Sequence, residues 1–187
     1  MLINKLKSTF FAFTTIFCIA LLFSFSASAQ RRDHLTETET ELVREFQEID
    51  TRTEVFIKAI DRRFLVLNAV NVGGDKQFKK DSEKWGELPT GTRRELLLDI
   101  ERILQEAIDN IDQVAERNIK SELFPKSVHT LADAAGKFLP QLKSQLDKTN
   151  TDMEKGAILG SIEFCNQIIE ASAKVPKVVK EEKKKKS

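Results

Sequence analysis

The segment that decides the fold is residues 36–68, which read TETETELVREFQEIDTRTEVFIKAIDRRFLVLN. Its apolar positions recur three, four or seven residues apart, at Leu42, Phe46, Ile49, Phe56, Ile60, Phe64 and Leu67. At about 100° per residue these side chains share one face, which predicts a single helix about 45–50 Å long. A helix with such a stripe needs partner helices to bury it.

A second helix is predicted from Thr92 to Asn118. Thr92 and Glu95 form a capping-box pattern at its start. One face of this helix is apolar and carries Leu96, Ile100, Ile103, Leu104, Ala107, Ile111 and Val114. The other side is polar, and we expect it to be solvated: Asp99, Glu101, Arg102, Glu106, Asp109, Asp112, Gln113 and Glu116.

Two further helices follow by the same spacing rule. The third is predicted over residues 127–148, and Pro140 should kink it without breaking it, because the apolar pattern keeps its register across the proline. The fourth is predicted over residues 151–173, with Glu154 completing a capping box at its start.

These four segments predict an all-α domain over residues 30–173. We expect a four-helix bundle, mostly up-and-down, with a long first helix and an irregular crossover to the second. Residues 174–187 contain a proline and many lysines but few apolar side chains, which predicts a disordered lysine-rich tail.

Residues 1–29 have the features of a secretory signal peptide. Lys5 and Lys7 precede an apolar run, and the ending Ala27-Ser28-Ala29 is a small-x-small cleavage signal. The alternative is an uncleaved membrane anchor, because the run approaches the length that spans a bilayer. We expect cleavage near Ala29, so that the mature chain does not span the membrane and is periplasmic or secreted.

The whole chain is close to neutral, with 30 basic and 29 acidic residues. Seven of the lysines lie in residues 174–187, so the helical part has an excess of acidic residues. That is the wrong sign for a nucleic-acid surface, and we expect no nucleic-acid partner. The tail is a candidate for a weak contact with an anionic surface.

Cys165 is the one cysteine outside the predicted signal, since Cys18 lies within it. No intramolecular disulfide is then possible, and stability must come from packing. Cys165 shares a face with Ile158, Ile162 and Ile169, which predicts a buried thiol in a helical core. An intermolecular disulfide or a reactive nucleophile is the alternative.

The least regular segment is residues 69–91, which contain several glycines and one proline. Its candidate interaction residues combine apolar or aromatic side chains with lysines: Phe78, Trp85, Leu88, Lys79, Lys80 and Lys84. The first three are spaced as one side of a short helix. They either cap the open end of the core or form a basic-aromatic loop that binds a partner.

Motifs for catalysis, cofactors and metals are absent from the sequence. His34 and His129 are the only two histidines, and no haem, zinc-protease, di-iron, P-loop or EF-hand pattern occurs. We expect His129 at the rim of the core rather than as a metal ligand. No catalytic, cofactor-binding or metal-binding residue is therefore predicted.

One enzyme family shares a pattern with the first segment. Arg44, the step Ile49-Asp50 and the pair Arg62-Arg63 resemble the long first helix of exported, all-helical chorismate mutases. The resemblance implies a small-molecule enzyme in which Arg44, Arg62 and Arg63 would line the active site.

The composition and the missing motifs favour a non-enzymatic interaction or structural protein of the envelope, such as a chaperone or adaptor. Its partner would be a protein or an envelope component. The mutase-like enzyme is the alternative. A binding protein should present exposed apolar surface or a concave patch, whereas the enzyme should enclose a pocket lined by its arginines.

Overall fold

A computed structural model of the chain describes residues 32–68, 76–118 and 121–177. The predicted signal peptide and residues 178–187 of the predicted tail lie outside these ranges. The chain divides into two compact units, the second of which begins at His34, and only residues 32 and 33 of the first are described. Within the described ranges, no helix combines the length and the hydrophobicity needed to cross a membrane.

The described ranges are all-helical and contain six α-helices. Their bounds are α1 Glu37–Glu45, α2 Ile49–Leu67, α3 Lys76–Trp85, α4 Arg93–Asn118, α5 Leu123–Asp147 and α6 Asp152–Ala173.

The segment predicted as one long helix is two helices, α1 and α2. The Thr36 hydroxyl accepts from the Glu39 N–H, and the Glu39 carboxylate accepts from the Thr36 N–H, so a capping box starts α1. Phe46 has extended backbone (φ −84°, ψ 97°) and ends α1, and Glu48 is extended before α2. Arg52 Nε donates to the Phe46 carbonyl at 2.9 Å, which satisfies one backbone group that the break leaves without a helical hydrogen bond.

The break allows α1 to fold back onto α2. The two helices are in contact, and Glu39 of α1 lies 2.7 Å from Arg63 of α2. A continuous helix would separate residues this far apart in sequence by about 36 Å. The prediction of one helix was therefore wrong. The apolar spacing continues through Phe46 and so gives no sign of a break, whereas the ion pair between Glu39 and Arg63 requires the chain to turn there.

The three later predictions of helices are confirmed. At α4, the Thr92 N–H donates to Glu95 Oε2 at 2.7 Å and the Glu95 N–H donates to Thr92 Oγ1 at 3.3 Å, which completes the capping box. α5 begins earlier than predicted and continues through Pro140 without a break. α6 follows Thr151, whose hydroxyl accepts from the Glu154 N–H at 3.4 Å.

The core lies between the four longest helices. α2 packs against α4 and α5, and α6 packs against the same two helices. Large apolar side chains that are fully buried come from all four helices: Phe56, Ile60, Phe64, Leu96, Leu97, Ile100, Ile103, Leu104, Leu131, Phe138, Leu142 and Ile158. Burying one such side chain stabilises the fold by about 1.5–3 kcal/mol.

Three residues differ from their predicted burial. Asp99 was placed on a solvated face but is 1% exposed, because it faces Arg63. Ile162 is half-buried and Ile169 is exposed, because α4 and α5 cover a narrower arc of α6 than its apolar residues span.

Candidate functional site

An apolar pocket of about 270 Å³ lies where α4, α5 and α6 meet. Its walls are the C-terminal half of α4, the first turns of α5, the last turns of α6 and one residue beyond α6. The residues that line it are Ile108, Ile111, Asp112, Phe124, Val128, Leu131, Gln167, Ile168, Ala171 and Val175. We call this feature the apolar pocket.

Val175 reaches the apolar pocket from the segment that follows α6. The Val175 carbonyl lies 2.9 Å from His129 Nε2, and the imidazole N–H donates to it. His129 is half-buried on α5, as expected for a residue at the rim of the core. This hydrogen bond fixes the chain after α6 against α5 and so completes one wall.

Two polar side chains, Asp112 and Gln167, are part of the lining, and both are exposed. Gln167 Nε2 donates to Glu163 Oε1 at 3.0 Å, one turn earlier on α6. A bound group would therefore meet aliphatic and aromatic walls inside, and a carboxylate and an amide at the mouth.

The candidate interaction residues of segment 69–91 lie in and just after α3. Phe78 belongs to α3 and Trp85 is its last residue, as the short-helix spacing predicted, whereas Leu88 lies beyond the end of α3. Lys79 and Lys80 are also residues of α3. Lys84 Nζ lies 4.9 Å from the centre of the Phe46 ring and 5.9 Å from the centre of the Trp85 ring. The ring of Trp85 also lies under the Arg62 guanidinium, at 5.9 Å.

These contacts are made within the chain itself. The side chains of Phe78, Lys79 and Lys80 lie outside what the structure describes, so the core cap and the binding loop both stay predictions. Trp85 and Leu88 are half-buried, and Pro89 is buried. The faces of Phe46 and Trp85 are already in contact with cations of the same chain, each contact contributing about 0.5–1 kcal/mol.

Arg62 is 3% exposed and is bound to the chain that follows α3. Its guanidinium donates to the carbonyls of Trp85, Gly86 and Glu87. Gly86 has φ +66°, where a side chain would be strained, so a glycine suits this turn. Burial lowers the pKa of Arg62, and the nearby Glu39 carboxylate opposes that shift.

Arg63 is 1% exposed and joins α1, α2 and α4. Its guanidinium donates to Glu39 Oε1 at 2.7 Å, to the Ala59 carbonyl at 2.8 Å and to the His34 carbonyl at 2.6 Å. Arg63 Nε lies 3.9 Å from Asp99 Oδ2. We call Glu39, Arg62, Arg63 and Asp99 the buried charge cluster; its two cations and two anions balance.

The three arginines of the mutase-like pattern are thus not brought together. Arg44 is exposed on α1 and donates to Glu41 Oε1 at 2.6 Å. Arg62 and Arg63 are buried, and their donors are directed at this chain's own carbonyls and carboxylates.

The anions of the buried charge cluster were not predicted from the sequence, although a signal was present. Glu39 sits four residues after Leu35 and three before Leu42, and both leucines are buried. Asp99 lies three residues after the buried Leu96 and next to Ile100. An acidic residue at core spacing predicts a buried ion pair when an arginine occupies the core face of another helix.

Cys165 is fully buried, as predicted, and burial raises its thiol pKa to about 12. Such a thiol is not a nucleophile at neutral pH. In the part of the chain that the structure describes, no group of three or more His, Cys, Asp or Glu side chains is arranged to hold a metal ion.

Comparison with protein-family models, with curated proteins and with solved structures finds no match to this chain.

Proposed function

We propose that the chain is an exported four-helix-bundle protein that acts by binding, through the apolar pocket, an apolar group of a protein partner or envelope component. The bundle consists of α2, α4, α5 and α6. The packing of α2 and α6 against both α4 and α5 supports this arrangement. The helices of the bundle run mostly up-and-down, and α3 lies in the crossover between α2 and α4.

The observation that carries the proposal is the apolar pocket itself. Its volume of about 270 Å³ approaches the lower end of the range for ligand sites, about 300–1,000 Å³. A cavity of about 150 Å³ with similar lining is large enough for benzene. Exposed Asp112 and Gln167 at the mouth give access from solvent, so an apolar group can enter without unfolding of the helices.

The contacts that the candidate catalytic arginines already make within the chain favour binding over catalysis. The mutase-like alternative needs arginines that face a substrate, whereas Arg62 and Arg63 are used to hold α1, α2 and the chain after α3 together. The apolar pocket is lined by none of the three arginines of that pattern.

Export rests on the sequence of residues 1–29, which have a basic start, an apolar run and a cleavage signal. The mature protein would then begin at Gln30 and act in the periplasm or outside the cell, as a chaperone or adaptor. Exposed Met153 and Ile169 on α6 supply additional apolar surface for a protein partner.

The proposal is tested with N-phenyl-1-naphthylamine, a neutral apolar fluorophore, titrated into the chain that starts at Gln30. Ala171→Trp should fill the apolar pocket, because Ala171 lines it and is exposed enough to accept a larger side chain. Leu159→Trp is the matched control, since Leu159 is 53% exposed on the same helix and does not line the pocket.

We expect the wild type and Leu159→Trp to bind the fluorophore saturably. Ala171→Trp should bind it at least about tenfold more weakly, which corresponds to a loss of about 1.4 kcal/mol in binding free energy. Thermal melts of all three proteins establish that each is folded. No saturable binding by the wild type, or equal binding by the two variants, would refute the proposal.

A further inference from the structure

We infer that the apolar pocket takes an apolar group that carries a positive charge, such as the end of an alkylammonium. This inference rests on the proposed function and adds the charge of the ligand to it. It follows from the kinds of side chain around the mouth of the pocket.

The described lining of the pocket contains one charged group, the carboxylate of Asp112. Glu116 lies one turn further along α4 and is exposed on the same side. Across the mouth on α6, Glu163 accepts a hydrogen bond from the lining residue Gln167 at 3.0 Å. Asp112 in the lining and Glu163 bonded to the lining thus place two carboxylates beside the opening.

Of the described cations nearest in sequence, one is paired within its own helix and another is directed away from the mouth. Lys174 donates to Glu170 Oε1 at 2.9 Å, so these two neutralise each other. Lys177 is exposed and lies two residues beyond Val175. Arg117 is also exposed, but on α4 it points about 140° away from the pocket-lining Asp112, by the 100° rule over five residues.

The size and the chemistry of the pocket together define the ligand class. The walls can accommodate an aliphatic or aromatic group at least as large as benzene. The mouth favours a group that can donate hydrogen bonds to Asp112 and pair with its charge. A cation at this position stays partly in water, so its attraction to Asp112 is modest and is screened by salt.

The probes are three molecules with one chain length: n-hexylammonium, n-hexanol and n-hexanoate at pH 7. Each is titrated to displace N-phenyl-1-naphthylamine from the chain that starts at Gln30. We expect the ammonium to bind about two- to fivefold more tightly than the alcohol, and the carboxylate more weakly than the alcohol by a similar factor.

Asp112→Asn should remove the preference for the ammonium over hexanol. Asp109→Asn is the matched control. Asp109 is exposed one turn earlier on α4, accepts a hydrogen bond from Gln105 at 2.7 Å and does not line the pocket. It should keep the preference, so that a general loss of negative charge is distinguished from loss of the carboxylate at the mouth.

The two proposals fail in different ways. Equal affinity of the wild type for the ammonium and the alcohol, or an unchanged preference in Asp112→Asn, overturns the charge inference and leaves the apolar pocket as a binding site. Failure of both hexanol and the fluorophore to bind overturns the proposed function as well.

Discussion

Arg63 Nη1 lies 2.7 Å from Glu39 Oε1, and both side chains are at most 1% exposed. Taking two charges out of water costs several kcal/mol per ion, which only close pairing and further hydrogen bonds can offset. Here the further bonds are present, because Arg63 also donates to two carbonyls. The pair therefore specifies one orientation of α1 on α2, and it explains why the chain turns at Phe46.

Glu39→Gln should destabilise the protein by about 3–5 kcal/mol, because it leaves the buried guanidinium of Arg63 without its close anion. The free energy of unfolding is measured by denaturant titration. Glu37→Gln is the control, since Glu37 is exposed in the same turn of α1 and its loss should cost no more than about 0.5 kcal/mol. Similar losses for the two variants would show that the ion pair does not hold α1 in place.

Periodicity in the sequence was sufficient for α4, α5 and α6, because each carries its own apolar face and at least two begin at a Thr-x-x-Glu cap. It was not sufficient for the break before α2. The interval from Leu42 through Phe46 to Ile49 has helical spacing whether or not the backbone is helical there. Only a partner from elsewhere in the chain, Arg63, decides between the two conformations.

The apolar pocket could not be predicted from any local pattern. It exists because α6 ends near the level at which α5 begins, and because His129 holds Val175 beside them. Ile111 was recognised as an apolar helix position, but a core side chain and a pocket side chain have the same spacing in sequence. Where helices end relative to one another is a property of the packed molecule.

Ile100→Ala should cost about 2–5 kcal/mol, because Ile100 is fully buried and the substitution leaves a cavity between α2 and α4. Ile111→Ala should cost less than Ile100→Ala, since Ile111 already borders the open apolar pocket. Leu159→Ala, on the exposed side of α6, is the control and should be nearly neutral. Denaturant titration measures the free energy of unfolding of each variant. A loss of stability for Ile111→Ala equal to or above that for Ile100→Ala would contradict the prediction.

The Asp50–Lys126 pair should make stability depend on acid. Lys126 Nζ donates to Asp50 Oδ2 at 2.6 Å, and this hydrogen bond holds the pKa of Asp50 below its ordinary value of 3.8. A lowered pKa in the folded state means that the pair stabilises the protein above the unfolded pKa, and that the contribution is lost as the pH falls through the folded pKa.

Lys126→Gln should therefore lower the melting temperature at pH 7 and lower it by less near pH 2, because protonation of Asp50 progressively removes the charge that Lys126 pairs with. Lys143→Gln, an exposed lysine on the same helix α5, is the control and should have a small effect at both pH values. Melting temperatures of the wild type and both variants, measured from pH 7 to pH 2, test this prediction. An effect of Lys126→Gln that stays constant with pH would show that the pair contributes nothing through the charge of Asp50.

The remaining prediction concerns the proposed contact of the tail with an anionic surface. Residues 178–187 contain five lysines and two glutamates, and attraction near an anionic membrane amounts to about 1 kcal/mol per lysine. Truncation after Lys177 removes these lysines but keeps Val175 and its hydrogen bond from His129, so the apolar pocket is preserved.

The chain that starts at Gln30 should co-sediment with vesicles that contain anionic lipid, and the truncated chain should not. Raising the salt from about 0.15 M to about 1 M shortens the Debye length from about 8 Å to about 3 Å, so most of the binding should be lost. The fluorophore titration on the truncated chain controls for an intact pocket. Equal sedimentation of the two chains would exclude the tail, and binding that resists salt would point instead to the apolar pocket, because burial of an acyl group is not screened by ions.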